Sequence, residues 1–198
     1  MARVGILGGT FNPPHVAHLV CAQEARWQLA LERVLLVPTL VPPHKEAPED
    51  PGAEVRLALC EAAAAHDPFL EVSRVELDRP GPSWTVDTLA GIVARSPEDE
   101  LTFIAGGDMA RSLPSWREPA RILELATFAV AERAGVARAD IRDQLSGLAG
   151  SDRIAFFDMP RLDVSSSEVR HRVAHGRPIR YLVPDAVAEA IESRRLYR

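Results

Sequence analysis

Two histidines, His15 and His18, stand three positions apart in GGTFNPPHVAH, residues 8–18. A second unusual stretch, VSSSEVR, residues 164–170, places Ser165, Ser166 and Ser167 just ahead of Glu168 and Arg170. Before the first stretch runs RVGIL, a short β-branched strand pattern, and after it LVCAQEARWQLAL, which reads as helix. A helix that begins there presents unpaired N–H groups and an effective charge of about +0.5 at its first turn, which attracts anions. Gly8 and Gly9 allow close approach to the backbone and permit positive φ. His15 and His18, at i and i+3, share one helix face and one volume, which a phosphate chain would fit. The serine segment reads as a second helix start, with serine caps and an acid in its first turn. Its N–H groups and hydroxyls can bind phosphate oxygens, and Arg170 can grip an anion in a bidentate fork.

Three other readings of the first stretch are weaker. A dinucleotide fingerprint requires G-x-G-x-x-G and a later acid, whereas here the glycines run Gly5, Gly8, Gly9 and the second strand ends in VPT. A Walker A loop requires G-K-[ST], which is missing. A histidine pair can hold a metal, but no cysteine or acid nearby completes a site.

The elements that must carry these residues alternate. Strands are predicted at 3–7, 33–38, 69–73, 101–105, 127–131 and 153–157. Helices are predicted at 15–31, 54–66, 85–95, 117–125 and 139–148, with two more at 167–175 and 185–195. Val55, Leu59 and Ala62 fall on one face of the second helix, and Val183, Val187 and Ile191 form the buried stripe of the last. This order implies a doubly wound, Rossmann-like parallel sheet with helices on both faces, where ligands bind beyond the carboxyl ends of the strands. The 198 residues read as one α/β domain, with the helices of 167–198 packed on it. The one long proline-rich connection, Pro38–Pro51, has the length of a functional loop. No apolar run reaches the roughly 18 residues of a membrane helix, and VGIL is too short for a signal-peptide core. The two cysteines, Cys21 and Cys60, read as buried small hydrophobes in a reducing cytoplasm. A net charge of −5 argues against a broad nucleic-acid surface. Oligomeric state is not set by the sequence, which is compatible with a homo-oligomer.

GGTFNPPHVAH resembles the G-x-F-x-P-x-H-x-G-H signature of the nucleotidyltransferase superfamily, and VSSSEVR resembles its second signature, I-S-S-T-x-[IV]-R. VPPHK, GPSWTVDTL, FIAGGDMARSLPSW and YLVPDAVAEAIESRRLY narrow the resemblance to the bacterial nicotinate mononucleotide adenylyltransferases, nearly end to end. The chain departs at Asn12, where Asp is commoner, at Ala17 for Gly and at Ser167 for Thr.

The resemblance implies transfer of the adenylyl group of ATP to nicotinate mononucleotide by direct in-line displacement, without a covalent intermediate. It implies catalytic roles for His15, His18 and Arg170. ATP would be bound by Gly8, Gly9, Thr10, Phe11, His15, His18, Gly106, Asp108, Ser165, Ser166, Ser167 and Arg170. The mononucleotide would be bound by Lys45, Ser83, Trp84, Thr85, Trp116 and Arg133, with Trp116 stacked on the pyridine ring and the N–H groups near Trp84 and Thr85 receiving the carboxylate. Mg2+ would arrive on the ATP phosphates, with no protein cage of its own. The acceptor phosphate monoester, with a second pKa of about 6, is already largely a dianion at neutral pH, so no general base is needed. The difficulty is charge, and such transfers rest on positioning and electrostatic stabilisation.

Overall fold

The computed structural model describes residues 1–41, 49–133 and 138–198, the side chain of Arg133 excepted. Six parallel strands form one sheet: β1 (Arg3–Gly9), β2 (Arg33–Pro38), β3 (Leu70–Val72), β4 (Glu100–Gly106), β5 (Ala126–Arg133) and β6 (Ile154–Met159). Their spatial order is β3-β2-β1-β4-β5-β6. The chain therefore winds outward from β1 to β3, then crosses back to β4 and winds the other way. The strand order reverses between β1 and β4, so the ligand crevice is expected past their carboxyl ends.

Burial explains why these runs are strands. Val4–Leu7 and Leu101–Ala105 are buried throughout, as expected for strands covered on both faces. Side chains alternate between two cores, so Val4 and Ile6 pack with one and Leu7 with the other. The first core includes Val86, Leu89 and Ile92 of α3 (Thr85–Arg95), Ala110 of α4 (Gly107–Ser112), Ile122 and Leu123 of α5 (Pro119–Leu125), and Ile141 and Leu145 of α6 (Arg138–Leu145). The second includes Ala17, Cys21, Ala22 and Ala25 of α1 (Val16–Gln28) and Cys60 of α2 (Ala53–Ala64). A third cluster joins Leu59 and Ala63 of α2 to Val169 of α7 (Ser166–Ala174) and to Val187 and Ile191 of α8 (Asp185–Ser193). The stripe expected at Val183, Val187 and Ile191 is fully buried there, and each such side chain contributes about 1.5–3 kcal/mol. Val55 and Ala62 pack at the margin of the same cluster, and both cysteines are buried.

The sequence expectation fails in four places, three of them at the carboxyl ends of the strands. β1 runs on through Gly8 and Gly9, which pair with Val37 and Pro38, so these glycines continue the strand as extended residues. Among residues 8–18 the left-handed conformation falls on Phe11 instead, at φ 49°. Such a residue costs of order 1–3 kcal/mol, and burial of the Phe11 ring to 2% exposure offsets it. A Cβ on Gly9 would come within 3.2 Å of that ring, so glycine here makes room for Phe11. Next, His15 is the N-cap of α1, with extended φ −141°, and not its first helical residue. The helix also ends before Leu31, because Ala30 (φ 51°) turns the chain so that Leu31 enters the core. Finally, α4 follows β4 directly, where the sequence showed only glycines.

Candidate active site

The chain leaves the carboxyl end of β1 at Gly9, turns at Phe11 and enters α1 through His15. The two imidazoles stack, with ring centroids 3.7 Å apart and planes 25° from parallel. Phe11 meets the His18 ring edge-on at 5.0 Å, and its own ring is buried. The His15 backbone N–H donates to His18 Nδ1 at 3.2 Å. A ring nitrogen that accepts in this way leaves the other, Nε2, as the one that can donate. The geometry makes it an oriented hydrogen-bond donor.

The second segment is brought to the first by two cross-chain bonds. Ser166 Oγ donates to the Pro13 carbonyl at 2.8 Å, and Arg170 Nη1 donates to the Asn12 carbonyl at 2.9 Å. The N-cap of α7 is Ser165, whose hydroxyl accepts from the Glu168 N–H at 3.1 Å. Its own proton remains to be donated. Ser167 Oγ accepts from Arg170 Nη2 at 3.4 Å and likewise keeps a proton to offer. The Ser166 proton is committed to Pro13, so this serine serves the joint between the segments while that bond holds. Arg170 Nε contacts a Glu49 carboxylate oxygen at 2.9 Å, an anion already resting on the fork. Glu49 is mostly exposed, so this pair is weak.

At the neighbouring strand end, Gly106 is the N-cap of α4 and Asp108 lies exposed in its first turn. Ser83 joins the β2 exit to the start of α3. Its hydroxyl accepts from the Leu40 N–H at 3.1 Å and its N–H donates to the Val41 carbonyl at 3.3 Å. Trp84 is the N-cap of α3 and Thr85 its first residue. Arg117 sets its guanidinium carbon 5.9 Å from the Trp84 ring centroid, so residues 84 and 116–117 are neighbours. Trp116 is half-buried, edge-on to Phe103 and Phe128 at 5.9 Å each, and its Nε1–H donates to Ser112 Oγ at 2.8 Å. Lys45, expected on the acceptor side, lies outside the described residues, as do the rest of 42–48 and the side chain of Arg133.

A cytidylyltransferase-like family model matches residues 6–172. A chain from Roseiflexus sp. (strain RS-1), named "probable nicotinate-nucleotide adenylyltransferase", is 45% identical over 100% of this chain and 98% of its own length. A relative of the same name from Moorella thermoacetica is 42% identical over 99% of this chain and 92% of its own. The chain belongs to the nicotinate-nucleotide adenylyltransferase family. The fold agrees with a solved structure, the Plasmodium falciparum nicotinic acid mononucleotide adenylyltransferase complexed with NaAD. That structure superposes with a TM-score of 0.79 at 16% identity, covering 100% of this chain and 98% of the other.

Two residues of this family member were not singled out from its sequence. Arg56 of α2 is 1% exposed, the largest fully buried side chain among the described residues. Its neighbours in sequence, Val55 and Leu57, gave no signal beyond one more charge on a helix that also carries Glu54 and Glu61. Tyr197 is also buried, and its hydroxyl donates to Asn12 Oδ1 at 2.7 Å, closing the third cluster onto the phosphate motif. Burial pushes the Tyr197 phenol well above its ordinary pKa, with the nearby Arg170 opposing in part. Burial raises the Cys60 thiol in the same way. Ala17, in place of the glycine of the signature, is buried in the second core within a regular helix, so its methyl group is accommodated.

Proposed function

We propose that the chain transfers the adenylyl group of ATP to nicotinate mononucleotide, releasing pyrophosphate and forming nicotinate adenine dinucleotide. The observation that supports this most is the joining of the two anion-binding segments, by Ser166 to Pro13 and Arg170 to Asn12, beside the strand-order reversal. A terminal oxygen of the mononucleotide phosphate bonds to the α-phosphorus of ATP as the bridge to the β-phosphate breaks. The electron pair of that bridge leaves with pyrophosphate. In this reading His18 Nε2–H donates to a phosphate oxygen near the α position, with His15 stacked behind it. Gly8, Gly9 and Thr10 line the backbone approach, and Gly106 and Asp108 lie along the adenosine. Ser165, Ser167 and Arg170 take the charge that grows on the departing pyrophosphate; Arg170 exchanges the Glu49 carboxylate for phosphate oxygens.

On the acceptor side, the N–H groups at Trp84 and Thr85 receive the nicotinate carboxylate and Trp116 stacks on the pyridine ring, while Lys45 and Arg133 neutralise charge. Mg2+ bound by the triphosphate would offset its charge. No cluster of three or more His, Cys, Asp or Glu able to hold a metal occurs among the described residues. We read the 198 residues as one nucleotidyltransferase domain acting in the cytoplasm. Among the described residues no helix is long and apolar enough to cross a membrane. Incubation with ATP and nicotinate mononucleotide, followed by quantification of pyrophosphate and dinucleotide, tests the proposal. Equimolar products are expected, and their absence would overturn it.

A further inference from the structure

We propose that Arg56 is a positioning residue that holds the acceptor side of the site in register with the phosphate motif; this rests on the functional reading above. A fully buried guanidinium is costly unless each of its nitrogens is satisfied. Here Nε donates to Asp50 Oδ1 at 2.9 Å, Nη1 to the Thr10 carbonyl at 2.9 Å and Nη2 to the Leu40 carbonyl at 3.3 Å. Those three groups belong to distinct parts of the site. Thr10 lies between the end of β1 and the turn at Phe11. Leu40 and Asp50 stand on either side of residues 42–48, the segment that contains Lys45.

Because a trans peptide points its carbonyl and N–H in opposite directions, anchoring the Thr10 carbonyl also fixes the Phe11 N–H, turned away from Arg56. The Leu40 carbonyl is fixed in the same way. From Leu40 the chain of bonds continues through Ser83 into the N-terminus of α3, since Leu40 N–H donates to Ser83 Oγ and Ser83 N–H to the Val41 carbonyl. One planar fork thereby ties the loop that handles ATP to the loop and helix that handle the mononucleotide. Asp50 also accepts from the Gly52 N–H at 2.9 Å, which seats the start of α2 and so the base of Arg56 itself.

Lysine cannot reproduce this fork, and methionine keeps the volume without the donors. Purified Arg56→Lys and Arg56→Met are compared with wild type by thermal melting and by steady-state kinetics in both substrates, well below the melting transition. A positioning role predicts that KM for ATP and KM for nicotinate mononucleotide both rise about tenfold or more, as expected for loss of hydrogen bonds from a charged donor. Arg56→Lys should be affected less than Arg56→Met. A merely structural role predicts a lower melting temperature with both KM values within twofold of wild type, and that result would overturn the proposal. It would also be overturned if neither variant folds, because Arg56 would then be needed for the fold itself. The wild type separates the two claims. If it releases no pyrophosphate, the functional reading fails; if it is active and the variants keep both KM values, only the Arg56 assignment fails.

Discussion

The two sides of the crevice are built differently. On the phosphate side, residues 10–18 are largely buried and cross-linked from several directions: Arg56 to Thr10, Arg170 to Asn12, Tyr197 to Asn12 and Ser166 to Pro13. On the acceptor side, Trp84 and Trp116 are half-buried aromatics leaning on the first core, and Ser83 supplies a short pair of backbone-linked bonds. The function proposed above would account for the difference. A polyphosphate is recognised by donors that must already be in place, since their electrostatic effect is largest when no reorganisation is needed. A flat pyridine ring asks mainly for a π-face and a few N–H groups, which need less scaffolding. Changes on the phosphate side should therefore act on catalysis, and changes on the acceptor side on one substrate's affinity.

The largest effect is expected from His18→Ala. Loss of an oriented donor in comparable sites costs about 2.7–4 kcal/mol, so kcat/KM should fall at least ~10²-fold. The melting temperature should fall only modestly, because His18 is partly buried and its loss removes one cap bond, worth about 1 kcal/mol. Activity within twofold of wild type would remove His18 from the reaction.

Trp116→Ala comes next and should be selective. Stacking on a base is worth roughly 1–3 kcal/mol, so KM for nicotinate mononucleotide should rise about 5- to 150-fold while KM for ATP stays near its wild-type value. Trp116 also packs against Phe103 and Phe128, so the melting temperature should drop as well. A drop in melting temperature with equal effects on both substrates would make Trp116 a core residue only. Trp116→Phe should recover much of the acceptor affinity but not the bond to Ser112.

Arg170→Lys should retain part of the activity, with KM for ATP raised by about tenfold. A lysine keeps the charge but cannot bond Asn12, Ser167 and an anion together. Unchanged kinetics in that variant would show that a point charge is enough. Tyr197→Phe should be the mildest, lowering stability by about 1 kcal/mol through loss of one buried hydrogen bond and leaving Asn12 Oδ1 unsatisfied. Its alkaline behaviour adds a signature. Burial raises the folded-state pKa of Tyr197, so the neutral phenol contributes stability that is present below its unfolded value of about 10 and is lost as pH rises above it. Denaturant unfolding across pH 9 to 11 should therefore show a steeper loss in wild type than in Tyr197→Phe; equal slopes would mean the phenol is not held neutral by the fold.

Most of the scaffold was legible because strand and helix periods, glycines and caps are local signals. β2 and α3 fall at the residues the periodicity indicates, and Ser165 caps α7 as its sequence suggests. What escaped depends on distant partners. That Gly8 and Gly9 stay extended follows from pairing with Val37 and Pro38, and that Phe11 takes the positive φ follows from a buried pocket for its ring. The orientation of the His18 ring depends on a bond from a cap residue's backbone. Arg56 looked like one more charge on its helix because its three acceptors lie 6, 16 and 46 positions away in sequence.

In the function proposed above, this crevice joins ATP to a nicotinate-bearing mononucleotide by direct displacement. The most direct measurement is pyrophosphate release by the wild-type chain with ATP and, in parallel, nicotinate mononucleotide, nicotinamide mononucleotide or phosphopantetheine as acceptor. Release is expected with nicotinate mononucleotide, matched one to one by nicotinate adenine dinucleotide, and little or none with phosphopantetheine. Turnover with phosphopantetheine and none with the pyridine mononucleotides would contradict it.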